Sequence, residues 1–238
     1  MTDIARLCRD LKGANLIDLS QPLEEHMPRY PTHSRYYHHL WSSYQLGDRS
    51  LTYQLLMNEH NGTHVDAPAH FISESNPEAH VTIDGVPLAR LIGRGVRLDC
   101  RRFRAGESVE ASFVAEWERN HVRLEAGDVV LFNFGWDTRW ALRPHDGPYV
   151  EGWPGVSVDA ARYLLDQKIA AVGVDTLSPD APEALRTGPI HPILLERQVL
   201  IVENLCRLDE LPDTFLFIAI PLKIRGGSGS PVRAVALY

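Results

Sequence analysis

Two short apolar runs in the second half of the chain each follow a segment that starts like a helix. Residues 169–174 come after a segment in which Ser157 is placed to cap a helix and Asp159 lies in the first turn, where the helix dipole favours a negative charge. Residues 199–202 follow Pro192, and proline is favoured at the first helical position. Continuously apolar strands are typical of a parallel sheet with both faces covered. The pattern therefore predicts an α/β fold.

The remaining segments add helices and hairpins to these two units. We expect helices over 3–12 and 109–121, and strands over 16–23, 51–57, 95–99, 128–134, 214–224 and 232–237. The last two strands are joined by a Gly/Ser turn, and such hairpins add antiparallel strands to a parallel sheet. We therefore predict a mixed sheet. No stretch has the composition of a linker, and we treat residues 1–238 as a single domain.

Composition and charge limit the expected partners. The formal net charge is −7 and no basic stripe offsets it, so we expect no nucleic-acid partner. No apolar run is long enough to span a membrane, and the first residues lack the apolar core of a secretory signal. Cys8, Cys100 and Cys206 are odd in number and far apart, which argues against disulfide bonds and favours a reducing, cytoplasmic location.

The segment that points to chemistry is HNGTHVDAPAHF, which begins at His60 and ends at Phe71. Its three histidines and one aspartate combine imidazole with carboxylate, a set that suits zinc, manganese or ferrous iron. A helical HExxH zinc motif does not fit, because Gly62 and Pro68 would break the helix and no glutamate follows the first histidine. A polar turn on the surface is the alternative interpretation.

The local geometry of this segment is also predictable. A turn at residues 61–62 separates His60 from the stretch that follows, and Pro68 favours an extended residue before it. In an extended stretch alternate side chains face the same way, so His64, Asp66 and His70 are expected on one face. The turn would bring His60 back to join them.

Two residues farther along the chain are candidates for further ligands. His191 directly precedes the proline that starts a predicted helix, and Glu203 ends a predicted apolar strand. A carboxylate at the carboxyl end of a buried strand lies where α/β folds place functional groups. The alternatives are a loop histidine at a helix start and a glutamate in an exposed turn, and spacing alone does not decide between them.

The histidine-rich segment closely resembles the HxGTHxDxPxH signature of the cyclase-like metal hydrolases. That family includes bacterial kynurenine formamidases and isatin hydrolases. Short segments elsewhere are also similar to the family pattern: 18–22, 27–28, 154–157, 173–176, 202–205, 221–223 and 229–234. The resemblance thus extends over most of the chain.

The resemblance implies a fold, an assembly and roles for named residues. The fold would be a swivelling β/β/α arrangement, and the protein would be a homodimer or homotetramer. One Zn²⁺ or Mn²⁺ ion would be bound by His60, His64 and Asp66. A second ion would be bound by Asp66, His191 and Glu203, so the chain would carry one or two ions. His70 would be the proton shuttle, and therefore the catalytic residue.

The same resemblance implies a function. A water molecule activated by the metal would attack an amide, lactam or ester carbonyl of a small, ring-bearing substrate. Tyr30 and Phe71 are the candidates for contact with that ring, and Trp136, Trp140 and Trp153 could complete an aromatic pocket around it. Tyr30 takes the place of a tryptophan that formamidases carry in a WPGD-like context, and the Gly-Asp is absent here. A cyclase or dehydratase with the same acid–base site, and a metal- or ligand-binding module without catalysis, are the alternatives.

Overall fold

The central feature of the computed structural model, which describes residues 3–184 and 190–238, is a mixed sheet. The strands are β1 (Leu16–Asp18), β2 (Tyr37–Ser42), β3 (Thr52–Leu56), β4 (His64–Asp66), β5 (Ile92–Asp99), β6 (Ser108–Val109), β7 (Val129–Asn133), β8 (Gly155–Val156), β9 (Ala171–Val174), β10 (Leu200–Glu203), β11 (Thr214–Ile218), β12 (Gly229–Pro231) and β13 (Val235–Leu237). The α-helices are α1 (Ile4–Gly13), α2 (Ala111–Asn120), α3 (Gly147–Val150), α4 (Val158–Asp166) and α5 (Ile190–Leu195).

Nine strands of the described residues pair in the order β1-β13-β11-β5-β7-β9-β10-β4-β12. The four central strands β5, β7, β9 and β10 are parallel to one another. The strands outside them pair antiparallel, with β11 on one side and β4 and β12 on the other. The predicted α/β fold with a mixed sheet is confirmed. The two pairs β2–β3 and β6–β8 form small separate sheets.

The central strands are buried on both faces because alternate residues enter two different cores. Phe132 and Val172 pack with helix residues such as Leu164 in one core. Leu131 and Val202 point the opposite way into a second core, as expected for side chains that alternate along a strand. This double burial explains why β7, β9 and β10 read as continuous apolar runs in the sequence.

Helix starts and strand lengths differ in how well the sequence predicted them. Ser157 caps α4 as expected, because its side chain accepts a hydrogen bond from the Ala160 amide. Three strands were predicted too long by three residues or more: β1 ends at Asp18, β11 ends at Ile218, and β13 begins only at Val235. The hairpin strand β2 was not predicted at all. Helix α5 already includes Ile190, so its proline is not the first helical residue.

Across residues 3–184 and 190–238, no helix combines the length and the apolar character that a membrane span requires.

Candidate metal centre

Strand β4 lies between β10 and β12, and its pairing places two predicted ligands side by side. In the antiparallel register, His64 is directly opposite Glu203. His64 and Asp66 are two residues apart and share one face, as the sequence predicted. The Nε2 atom of His64 is 3.3 Å from an oxygen of Asp66 and 3.3 Å from an oxygen of Glu203. All three side chains are buried.

The turn before β4 returns His60 to the same group. Gly62 adopts a φ of +63°, a conformation that glycine takes without strain. The Nδ1 atom of His60 lies 2.6 Å from Asp66 Oδ1. On the other side of the ring, Nε2 lies 2.9 Å from Ser228 Oγ, and that hydroxyl donates to Glu59 at 2.8 Å. These hydrogen bonds engage Nε2 of His60, so Nδ1 is the ring nitrogen that faces the carboxylate of Asp66.

Gly229 in β12 permits this close approach to His60. A Cβ atom at position 229 would lie 2.6 Å from Cε1 of His60 and 2.8 Å from the carbonyl oxygen of Val65. Any side chain there would displace the imidazole or separate β12 from β4. The glycine is therefore part of the construction of the centre.

Helix α5 supplies the last imidazole. The Nε2 atom of His191 is 3.2 Å from Glu203 Oε1 and 3.5 Å from Asp66 Oδ2. Its Nδ1 atom is hydrogen-bonded to the carboxylate of Asp180, which is fully buried and also accepts from the amide of Ile190. A carboxylate on the far nitrogen of an imidazole fixes the orientation of the ring and increases its basicity as a ligand.

These side chains form two overlapping sets that share Asp66. One set is His60, His64 and Asp66, and the other is Asp66, His191 and Glu203. In each set the potential ligand atoms lie within 4.8 Å of one another. Among the residues that the structure describes, none hydrogen-bonds to Oδ2 of Asp66, although this atom is buried. A buried carboxylate oxygen without a donor is costly, and a cation between these ligands would remove that cost.

The electrostatics of the cluster also suit a cation. Burial opposes protonation of His64, but hydrogen bonds with Asp66 and Glu203 outweigh burial and raise the pKa of the imidazole to about 10. Burial likewise opposes ionisation of Asp66, yet His60 and the other imidazoles hold the pKa of its carboxyl well below the ordinary value. The site thus holds ionised carboxylates that need positive charge beside them. A divalent ion supplies that charge and displaces protons from the imidazoles.

His70 reaches the centre by a route that the sequence did not predict. The extended backbone ends at Ala67, and Pro68 begins a short 3-10 helix that ends at His70. The expectation that His70 continues the face of β4 was therefore wrong. Its ring nevertheless stacks on His60 with a centroid separation of 3.9 Å. Burial lowers the pKa of His70 to about 4, so the ring is neutral near pH 7.

A cavity of about 220 Å³ opens beside these side chains. Its lining includes the candidate proton shuttle, both candidate substrate contacts and two candidate ligands: His70, Tyr30, Phe71, His191 and Glu203. Phe71 remains 43% exposed, and its ring lies 4.7 Å from the rings of both His70 and His191. The structure therefore brings every predicted site residue to one location.

The tryptophans of the loop over residues 135–155 have a structural position. Trp136 and Trp153 are buried in the core that contains the helices, away from the cavity lining. The indole of Trp153 donates to the carbonyl oxygen of Asp180, and that of Trp136 donates to the carbonyl oxygen of Tyr149. These two indoles thus hold Asp180 and Tyr149 in place, and neither of them lines the cavity, contrary to the aromatic pocket expected from the sequence.

Sequence reasoning missed several residues that surround the centre. His33 lines the cavity, and burial with the nearby His60 and His64 lowers the pKa of its imidazole. Asp180 is hydrogen-bonded to Nδ1 of His191. The side-chain amide of Asn204 donates to the carbonyl oxygen of Gly62, next to His64. None of the three lies in a motif with a recognised spacing. Only Asn204 had a signal, since it directly follows a predicted ligand at a strand end.

Known proteins match this chain in sequence over most of its length. The family model described as "Putative cyclase" matches residues 17–181. The isatin hydrolase of Roseibium aggregatum is 33% identical over 196 residues, which cover 77% of this chain and 73% of that protein. A kynurenine formamidase of Erythrobacter litoralis is 28% identical over 220 residues, which cover 92% of this chain and 91% of that protein.

Solved structures agree with the sequence matches. The crystal structure of an isatin hydrolase bound to the product analogue thioisatinate superposes with a TM-score of 0.90 and 27% sequence identity. The match covers 100% of this chain and 99% of that chain. The family model spans well over half of the chain, and the resemblance that the histidine-rich segment indicated is confirmed. The protein is a member of the cyclase family.

Proposed function

We propose that this chain, a hydrolase of carbon–nitrogen bonds other than peptide bonds, cleaves a small ring-bearing amide or lactam. One observation carries the proposal: three buried imidazoles and two buried carboxylates meet beside a cavity of about 220 Å³ that His70 lines. The names of the relatives, isatin hydrolase and kynurenine formamidase, support a cyclic or aryl amide as the substrate class. An ester remains within reach of the same chemistry.

We assign the centre to one or two divalent ions, Zn²⁺ or Mn²⁺. His60, His64 and Asp66 would hold one ion, and the second set, which shares Asp66, would hold another. When bound, such an ion lowers the pKa of a water molecule and polarises a substrate carbonyl. The ring nitrogens that face the centre are Nδ1 of His60 and Nε2 of His64. Nitrogen and oxygen ligands of this kind suit both metals.

The proton transfers fall to His70 in this proposal. A neutral imidazole beside the centre can accept the proton of the attacking water and return it to the leaving nitrogen. The net reaction adds one water across the carbon–nitrogen bond. Tyr30 and Phe71, which line the same cavity, would contact the ring of the substrate.

A metal analysis combined with a substrate panel tests the proposal. The purified protein is loaded with Zn²⁺ or Mn²⁺, the ions per chain are counted, and formanilides, isatin-like lactams and lactones are offered. We expect hydrolysis of an amide or lactam, with a product heavier than the substrate by one water. Chelation should reduce turnover by about a thousandfold or more, since the ion contributes several kcal/mol to the transition state.

The same experiment separates the alternatives. A loaded protein without activity on every member of the panel would favour a ligand-binding module. A product formed without gain of water would favour a cyclase or dehydratase. Activity that persists in the chelated protein would refute the metal-dependent mechanism.

We also propose that the protein is a homodimer or homotetramer. The hairpin of β2 and β3 forms a two-stranded sheet of its own, and an isolated hairpin is only marginally stable in water. Its large apolar side chains are exposed to solvent: Tyr37, Leu40, Trp41, Tyr44, Leu46, Leu51, Tyr53, Leu55 and Leu56. A cluster of exposed apolar side chains is typical of an interaction site, and a second copy of the chain would cover it.

Charges on this hairpin should break the assembly. The combined substitution Trp41→Glu, Leu46→Glu and Leu56→Glu replaces side chains that are 71%, 70% and 62% exposed. We expect light scattering to report a multiple of 26.8 kDa for the unchanged protein and a single copy for the variant. The control changes Ile4, Leu7 and Leu11 of α1, which are also exposed, to glutamate and should leave the mass unchanged. A monomeric unchanged protein would contradict the proposal.

We place the enzyme in the cytoplasm. Cys8, Cys100 and Cys206 all lie in the described part of the chain, and all three are free thiols. Disulfide bonds are rare in proteins of a reducing compartment, and three free thiols are consistent with this assignment.

A further inference from the structure

We propose that Tyr149 and Asn204 are positioning residues that hold His64 in the orientation and tautomer required for a metal ligand. Through them, the loop over residues 135–155 controls the affinity of the centre. The inference rests on the proposed function only in taking His64 as a metal ligand. Neither residue is itself part of the cavity lining, and both act through hydrogen bonds.

The ring nitrogen of His64 that points away from the carboxylates is held by the backbone. Its Nδ1 atom lies 2.9 Å from the carbonyl oxygen of Gly62, so this nitrogen carries a proton and donates. When the imidazole serves as a metal ligand, the lone pair would then be on Nε2, which faces Asp66 and Glu203. The side-chain amide of Asn204 donates to the same carbonyl, with Nδ2 at 2.9 Å. Two donors on one carbonyl oxygen fix its direction, and that direction fixes the imidazole.

The orientation of the Asn204 side-chain amide determines whether this arrangement of His64 is kept. Its Nδ2 atom is also only 3.5 Å from Nδ1 of His64. The oxygen and nitrogen ends of an amide are nearly the same size, so a rotated amide would fit the same space. In the rotated form, Oδ1 would face the Gly62 carbonyl, and two acceptors would oppose each other. Oδ1 would then compete for the Nδ1 proton of His64 and pull the ring away from the Gly62 carbonyl.

Tyr149 selects the productive orientation of that amide. Its hydroxyl donates to Asn204 Oδ1 at 2.8 Å, which leaves the nitrogen end for Gly62. The phenol is fully buried, so water does not replace the missing donor when the hydroxyl is removed. The carbonyl oxygen of Asp175 is a second acceptor for the same hydroxyl, at 3.2 Å.

The backbone of Asn204 is held independently of Tyr149. Its amide donates to the carbonyl oxygen of Thr176 at 3.0 Å, and its own carbonyl accepts from the Thr63 hydroxyl at 2.6 Å. Asn204 adopts a φ of +57°, a left-handed conformation that asparagine tolerates better than most residues. Loss of the tyrosine hydroxyl should therefore release the amide while the turn after β10 remains in place.

The loop fixes the phenol from the other side. The indole of Trp136 donates to the backbone carbonyl of Tyr149 at 2.9 Å, and the ring of Trp140 packs edge-to-face on the phenol at 4.9 Å. The amide of Trp136 donates to the buried carboxylate of Asp175 at 3.0 Å. These contacts hold the phenol of Tyr149 in the position from which its hydroxyl donates to Asn204, the residue that follows Glu203 in the chain.

The test measures metal affinity in Tyr149→Phe, Asn204→Ala and the double variant. Each protein competes with a chromophoric chelator for Zn²⁺, and the melting temperature of the metal-free form is recorded. Loss of a partner in the outer shell of a metal site weakens binding by about 10- to 100-fold. We expect Tyr149→Phe to weaken Zn²⁺ binding by about tenfold and Asn204→Ala by at least as much. The double variant should match Asn204→Ala, because Tyr149 acts only through that amide.

Tyr163→Phe is the matched control. It also removes one hydroxyl that donates to a partner in the folded chain, here Glu118, but it should leave Zn²⁺ affinity unchanged. A purely structural role for Tyr149 would lower the metal-free melting temperature and leave the affinity within twofold of the unchanged protein. That result would overturn the inference, as would independent effects that multiply in the double variant.

Failure of the inference is distinguishable from failure of the proposed function. If the unchanged protein binds Zn²⁺ tightly and hydrolyses nothing, the proposed hydrolase function is refuted. The Zn²⁺ affinities of the variants then still decide whether Tyr149 and Asn204 are positioning residues. An unchanged protein that binds no metal would refute both. Should Tyr149→Phe fail to fold, the affinity of Asn204→Ala decides, since the inference requires that affinity to fall.

Discussion

Asp66→Asn is expected to lower the affinity for Zn²⁺ by more than 100-fold and to abolish hydrolysis. Loss of a partner outside the ligand shell costs about 10- to 100-fold, and a shared ligand should cost more. Asp66 is the member common to both candidate sets. Its Oδ1 is 2.6 Å from His60 and 3.3 Å from His64, and its Oδ2 is 3.5 Å from His191. Asparagine keeps the shape but removes the charge that all three imidazoles face.

The measurement is the metal content after dialysis together with a competition titration. Asp128→Asn is the matched control, because Asp128 is also a buried aspartate and pairs with Arg94 at 2.8 Å. That control should lose stability and retain its full metal content. A full complement of tightly bound metal in Asp66→Asn would show that the candidate metal centre is not the metal site.

The part of the centre that lies within one segment was predictable from the sequence. The alternation of β4 and the turn at Gly62 are local properties, so the approach of His60, His64 and Asp66 follows from residues at most six positions apart. His70 was placed near the others for the wrong reason, because the proline that follows Ala67 starts a 3-10 helix there. The local sequence pattern therefore predicted correctly that His70 lies near the other histidines, but it predicted the wrong backbone conformation for residues 68–70.

The distal part depends on strand register, which the sequence does not encode locally. His64 lies opposite Glu203 only because β4 pairs with β10, and a shift by one residue would turn every side chain to the other face. Asp180 escaped prediction for a related reason: it contacts His191 across a segment without a motif. Long-range pairing decides such contacts, and spacing along the chain carries no information about them.

The fold shows the same division between local and long-range causes. Helix α4 was predicted from its cap, and the buried strands β7, β9 and β10 from their continuous apolar runs. The hairpin strand β2 was missed because its apolar residues lie on an exposed surface, where the usual alternation of buried and exposed positions is absent.

His70→Ala is expected to keep its metal and to lose about 10²- to 10⁴-fold in turnover, the range that a positioned general acid–base contributes. His70 is in neither candidate ligand set, so metal content should match that of the unchanged protein. Its ring stacks on His60 at 3.9 Å and lines the cavity beside Glu203, which places an imidazole where water and leaving group would meet. Burial lowers its pKa to about 4, so the ring is unprotonated at neutral pH.

Two further variants distinguish proton transfer from packing. His70→Phe keeps an aromatic ring against His60 and should lose turnover to the same extent, whereas a packing role predicts that it retains activity. His80→Ala removes an imidazole that bonds the Ile72 carbonyl at 2.7 Å, and it should keep normal turnover. Added imidazole should restore part of the activity of His70→Ala, because it occupies the vacated space and carries the proton. Unchanged turnover in His70→Ala, or a loss that follows loss of the metal, would exclude His70 as the proton shuttle.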